Sequence, residues 1–183
     1  MRDEQRERTR QAIFRAAAEL FAEHGYERTT IRAVARRAGA DPSAVMQHFG
    51  SKERLFAAVA AASVDSRSLV DADAEALARA AVEHVLARFD DPGDGAAAIA
   101  LLRSSLTHPT AGDILRDDVM APVQRRVAET IGGADARERA ALLNACALGV
   151  SIARYLLRDP VLAGMDRDRL ADLLTPAMRA IVG

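Results

Sequence analysis

The chain is poor in the residues from which covalent and metal-held scaffolds are built. Cys146 is its single cysteine, so no disulfide closes within the chain and no cysteine cluster holds a metal. Tryptophan is missing, and five phenylalanines and two tyrosines bring aromatics to only 4%. A chain that is nonetheless 50% hydrophobic, with alanine dominant, suits close-packed helices better than sheet. No stretch reads as a strand, so no glycine-rich phosphate loop follows one, and no nucleophile sits in a pattern such as G-x-S-x-G. The four histidines, His24, His48, His84 and His108, are scattered rather than grouped at metal-ligand spacing. No enzymatic activity, metal or cofactor is expected. The longest uninterrupted apolar run, Leu55 to Ala62, is far short of the roughly 20 residues a membrane span requires. The charged start, with Arg2, Asp3, Glu4, Arg6 and Glu7, lacks the apolar core of a signal peptide. The expected location is the cytoplasm, with no membrane partner.

Lysine is nearly absent as well: Lys52 is the only one among 25 basic residues. That skew to arginine, with the alanine excess, fits a GC-rich genome better than a chemical purpose. A net charge of −1 argues against a general nucleic-acid coat, because non-specific affinity comes from neutralising phosphates. From Met1 to Leu55, however, eleven basic residues face eight acidic ones, a balance of +3, while the remainder carries −4. At 183 residues the chain can form one compact domain or two small ones. Five of its seven aromatics, Phe14, Phe21, Tyr26, Phe49 and Phe56, precede residue 57, which predicts a small aromatic core for the first third.

The stretch from Thr29 to Phe56 organises the rest. Ile31, Val34, Ala35 and Ala38 recur at helical spacing, Gly39 stops that helix, and Val45 and Phe49 begin a second short pattern after Asp41-Pro42. Asp41 is expected to cap the second helix, and Pro42 fits its first position, where the missing N–H costs nothing. Burying Val45 and Phe49 turns Pro42, Ser43, Met46 and Gln47 outward. So short an exposed helix is a poor stability device and a good major-groove reader.

These residues, together with Phe21, Gly25, Thr29-Thr30, His48, Ser51-Lys52-Glu53 and Leu55-Phe56, resemble the DNA-binding motif of the tetracycline-repressor (TetR) family of bacterial transcriptional regulators. The pattern is long and fixed in spacing, and it covers roughly the first third of the chain. The resemblance implies an all-α fold: a three-helix helix-turn-helix DNA-binding domain over 1–50, a connecting helix over 51–66, and a larger helical ligand-binding and dimerisation domain over 67–183. It implies DNA contacts from Thr29, Thr30, Arg32, Pro42, Ser43, Met46, Gln47, His48 and Lys52. Thr29 and Thr30 stand where a hydroxyl can cap and a helix end attracts phosphate. Lys52 is electrostatically out of place in the first turn of a helix unless it and the helix end grip one phosphate. The first ten residues read as a solvated helix start or as an arm.

Further along, a first helix runs to about His24 before Gly25. A fifth begins near Val70 and Ala74 and runs through Leu77, Val82 and Leu86 to Phe89. The run Asp90 to Gly95 is the strongest loop signal. A nearly continuous apolar helix from Ala96 to Thr107 is expected to be central to the second domain. Residues 113–131 are helical with a kink or break at Pro122, and 135–158 form a long amphipathic helix. A stripe of small residues runs along it, Ala141, Ala145, Gly149 and Ala153, and a mid-helix glycine suggests a close helix crossing. A last helix after Asp166 carries Leu170, Leu174 and Met178 and a kink at Pro176.

In the family resembled, the last two helices form a four-helix dimer interface, which places Ala145, Gly149, Ile152, Ala153, Leu156, Leu174 and Met178 on it. The resemblance also implies a cavity for a small-molecule effector, for which the polar residues on apolar stretches are the candidates: Arg103, Ser104, Thr107, His108, Asn144, Ser151 and Tyr155. Partners are therefore double-stranded operator DNA, a second copy of the chain and an effector. Met46 stands where the family commonly has a tyrosine touching the backbone, and Asp41 and Pro42 replace small or basic residues. An acid beside phosphate costs affinity unless capping consumes it or a cytosine amino group donates to it. Base reading then rests on Ser43 and Gln47. The expectation is a DNA-binding regulator, most simply a repressor; the alternative is a helical protein-interaction module that keeps the fold without the DNA.

Overall fold

Alanine-rich segments without β-branched runs favour helix, and among the described residues every regular element is helical. The computed structural model describes residues 1–62, 73, 76–91 and 95–183. The elements are α1 (Arg2–Arg28), α2 (Ile31–Ala38), α3 (Pro42–Phe49), α4 (Lys52–Ala62), α5 (Leu77–Asp90), α6 (Gly95–Thr107), α7 (Pro109–Ile114), α8 (Ala121–Ile131), α9 (Ala136–Ser151), α10 (Pro160–Gly164) and α11 (Arg167–Val182). Wider π-type turns, Leu115–Met120 and Ile152–Leu156, precede α8 and continue α9. The expected extension of the connecting helix to residue 66, the start of α5 near Val70 and Ala74, and the middle of the Asp90 to Gly95 loop lie outside the described residues. No helix among those described is long and apolar enough to cross a membrane.

The chain divides into two compact units, Met1–Ser63 with Ala96–Val119, and Val64–Gly95 with Met120–Gly183. The first is built on an aromatic core, as the clustering of aromatics predicts. Phe56 meets Phe21 and Tyr26 edge-on, each with ring centroids 5.0 Å apart. Ile13, Ala17, Val34, Val45 and Leu55 close around them. Leu101, Ala111 and Ile114 belong to this same core. The Ala96–Thr107 helix therefore helps to finish the first unit, where the sequence had placed it in the second. The contiguous division at 50 and 66 does not follow these units. The charged first ten residues are helix rather than arm, laced by pairs such as Arg8 to Gln5 at 3.0 Å and Gln11 to Glu7 at 3.2 Å.

In the second unit α5, α8, α9 and α11 enclose Leu77, Val82, Leu86, Val127, Leu143, Leu170 and Met178. Pro122 sits in the first turn of α8, directly after the π-type turn, so the helical segment is re-started there rather than carried straight through. Pro176 lies inside α11 without ending it. Met178 is fully buried, 0% exposed, which corrects its expected place on a dimer face. Four residues beyond Leu174 it lies further round the helix, on the side that α11 turns toward its own core.

Candidate nucleic-acid interface

Backbone chemistry shapes the helix-turn-helix. Thr30 Oγ1 accepts from the Ala33 N–H at 3.1 Å and caps α2. At the other end Gly39 takes φ +63; its N–H donates to Arg36 O, and the Ala40 N–H reaches back to Ala35 O at 2.9 Å. That paired return is the Schellman closure, which a left-handed glycine makes possible. The chain then turns into α3 with Pro42 in its first turn. Arg37 holds α2 against α1 by a two-pronged bond to Glu23, 3.1 and 3.0 Å, and a third bond of 3.0 Å to Glu19. The hydrogen bond from Arg37 keeps the Glu23 carboxyl below its ordinary range.

On α3, Val45 is fully buried and Phe49 nearly so, while Pro42, Ser43, Met46 and Gln47 are exposed and His48 is half-buried. Met46 is 46% exposed, a large apolar side chain left in solvent on the same face as Gln47. Arg32 on α2 is exposed as well. The outward face is thus the one that burial of Val45 and Phe49 predicts.

Two expected roles are corrected. Thr29 is buried, its hydroxyl donating to Leu20 O at 3.0 Å and to Gly25 O at 2.8 Å, so it ties off the end of α1 and cannot touch DNA. Asp41 makes no side-chain cap. Its backbone carbonyl already accepts from the Ala44 and Val45 N–H groups, at 3.0 and 3.3 Å, and Pro42 offers no donor. The carboxylate therefore remains exposed at the start of α3. Lys52 is held in place within the fold. Its Nζ donates to Glu27 O at 3.2 Å and lies 4.3 Å from the Tyr26 ring centroid, and burial lowers its pKa against the opposing fields of Glu53 and Glu27. Ser51 caps α4, accepting from the Arg54 N–H at 3.2 Å.

Tyr26 is the residue that pattern reasoning counted only as core. Its hydroxyl donates to Glu53 Oε1 at 3.0 Å and its backbone N–H donates to Ser104 Oγ at 3.2 Å. The aromatic clustering pointed to the ring; nothing in the spacing announced the two hydrogen bonds.

The polar residues expected to line one effector cavity fall in different units. In the first unit Arg103, Ser104, Thr107 and His108 come together with Gly25 and Tyr26 around a cavity of about 300 Å³. The His108 Nδ1 is buried there without a hydrogen-bond partner. In the second unit Asn144 is half-buried, Ser151 Oγ donates back to Ala147 O at 2.8 Å, and the Tyr155 hydroxyl donates to Asp90 at 2.9 Å. The Thr107 hydroxyl is likewise turned back onto Arg103 O, at 2.9 Å. Of the residues expected on a dimer face, Ala145 and Gly149 are exposed, and Ile152, Ala153, Leu156 and Leu174 are partly so. A Cβ added at Gly149 would meet nothing within 4 Å, so among the described residues no helix crosses there. Leu142, 56% exposed, and Leu173 belong beside them on the surface, although the spacing did not select them.

Residues 13–59 match the family model described as bacterial regulatory proteins, tetR family, and residues 75–182 match the tetracyclin repressor-like C-terminal domain. The HTH-type transcriptional repressor AcnR of Corynebacterium efficiens is 46% identical over 52 residues, which cover 28% of this chain and 28% of the repressor. The matched part of the chain thus spans little more than a quarter of that relative's length. The transcriptional repressor Rv3405c of Mycobacterium tuberculosis is 44% identical over 54 residues, 30% of this chain and 29% of its own. Among solved structures, a TetR-family regulator (SCO0857) from Streptomyces coelicolor A3 superposes with a TM-score of 0.76 at 29% identity, covering 96% of this chain and 95% of that one. NalD of Pseudomonas aeruginosa, described as the secondary repressor of the MexAB-OprM multidrug efflux pump, shares the fold with a TM-score of 0.71 at 24% identity over 94% and 95% of the two chains.

Proposed function

The chain belongs to the TetR family of bacterial transcriptional regulators, and on that premise we propose that it represses transcription by binding a two-part operator as a homodimer. The observation that carries this reading is the exposed outer face of α3, with Ser43, Met46 and Gln47 in solvent over a buried Val45 and Phe49. Gln47 offers the paired donor and acceptor that match an adenine edge, Met46 packs on a thymine methyl or sugar, and Thr30, Arg32, His48 and Lys52 supply contacts to the backbone. Two such helices must stand about 34–36 Å apart to meet successive major grooves. The exposed stripe of Ala145 and Gly149 with Leu142 offers the surface on which a second copy packs.

A small molecule that binds one arrangement of the dimer better than the other shifts the population and releases the operator. The residues around the first unit's cavity, Arg103, Thr107 and His108, are the candidates for it. The place of action is the cytoplasm, where the operator is.

The test is a fluorescence titration of the promoter duplex beside the chain's own gene at several salt concentrations. Log affinity is expected to fall linearly with log salt. Arg32→Ala is expected to weaken binding to all sequences alike, and Gln47→Ala to change sequence preference. Binding that is absent or indifferent to salt would favour the protein-interaction module.

A further inference from the structure

Tyr26 is buried, 5% exposed, one residue past the Gly25 break. Its ring carries the Lys52 ammonium at 4.3 Å and its hydroxyl holds Glu53, so one side chain fixes the first two residues of α4. Its N–H bonds to Ser104 on α6, and its ring packs against Phe56 and, at 4.8 Å between centroids, against His108. A lysine is a compact charge on a flexible stem, and a contact made by such a stem loses affinity to its ordering. A ring that already carries the ammonium removes part of that loss. The tyrosine hydroxyl also donates to the Glu53 carboxylate and so holds that side chain in place beside Lys52.

We propose that Tyr26 is a positioning residue for DNA binding: it holds Lys52 ready for a backbone phosphate beside α3 and ties that grip to α6 through Ser104. This rests on the DNA-binding reading above. Met46, which cannot donate to phosphate as a tyrosine would, makes the Lys52 contact the more important one.

Lys52 is the only lysine in the chain, so isotope labelling of lysine gives a single set of side-chain NMR resonances. In the unbound protein these are expected to be shifted upfield by the Tyr26 ring, with the shift kept in Tyr26→Phe and lost in Tyr26→Leu. In DNA titrations Tyr26→Leu should lower the slope of log affinity against log salt by about one, as Lys52→Ala does, and the two together should lower it no further. Tyr26→Phe should keep the wild-type slope. A Tyr26→Leu protein with wild-type helix content and an unchanged slope overturns the proposal alone. Failure of the wild type to bind any duplex overturns the DNA-binding reading and the proposal with it. If Tyr26→Leu does not fold, the wild-type spectrum decides, and an unshifted Lys52 resonance overturns the proposal.

Discussion

Gly25 holds a backbone that side chains avoid. At φ 74 and ψ 177 it stands in a region occupied almost only by glycine, where any other residue costs about 1–3 kcal/mol. A Cβ there would also come within 3.2 Å of Ser104 Oγ, the acceptor of the Tyr26 N–H. Gly25→Ala is expected to lower the unfolding free energy by about that amount in a urea titration; an unchanged midpoint would show that the break is not what fixes Tyr26. The two tyrosines offer a second test, undisturbed by tryptophan. Burial first, and then the hydrogen bonds to Glu53 and Asp90, push Tyr26 and Tyr155 up from 10 to about 12. Because the folded state resists forming either phenolate, the stability they contribute is complete below pH 10 and is lost as pH rises toward 12. An alkaline absorbance titration should show no phenolate step near 10 while the helices persist. A full step there with unchanged circular dichroism would contradict the burial. At this scale the sequence was only partly legible. It could not tell Thr29 from Thr30, because which threonine turns inward depends on where α1 breaks. It could not foresee that the Ala44 and Val45 N–H groups would bond to the Asp41 carbonyl while its carboxylate caps nothing.

The short elements were the most legible. α2 and α3 carry strong local signals, with Thr30, Gly39 and Pro42 marking three of their four ends and Val45 and Phe49 giving the inner face, and each stands where the spacing put it. α6 was the opposite case. A helix apolar nearly all round has no preferred side, so periodicity cannot say which neighbour it joins. Leu101 in fact packs into the aromatic core of the first unit. Leu101→Ala, at a position 3% exposed, is expected to cost about 2–5 kcal/mol in that core. A loss under 1 kcal/mol would mean that α6 is only loosely attached there. Pro122 shows a different limit: the sequence marked an interruption but not its form, a π-type turn that lets the helix begin again.

Across the whole molecule, all-helical character and the family pattern were legible because alanine content and helical periodicity are properties of every segment. The surface was not, because burial within one chain depends on which faces the core consumes. Met178 went inward and Leu142 outward, though both lie on apolar helical stripes. If the exposed stripe on α9 joins two copies, Gly149→Glu places a charge where a second backbone must approach closely, while the Cβ it adds meets nothing within 4 Å among the described residues. The variant is expected to sediment as a monomer with normal helix content and to lose operator affinity by the loss of one half-site. A dimer that survives the substitution would place the interface elsewhere.

On the proposed function, the outer face of α3 reads bases. Selection of bound duplexes from a randomised pool, run in parallel for the wild type and Gln47→Ala, tests it most directly. The wild type should select a two-part symmetric site, and the variant a relaxed or altered base at one position of each half. Identical selected sequences from the two proteins, or no selection by either, would contradict it.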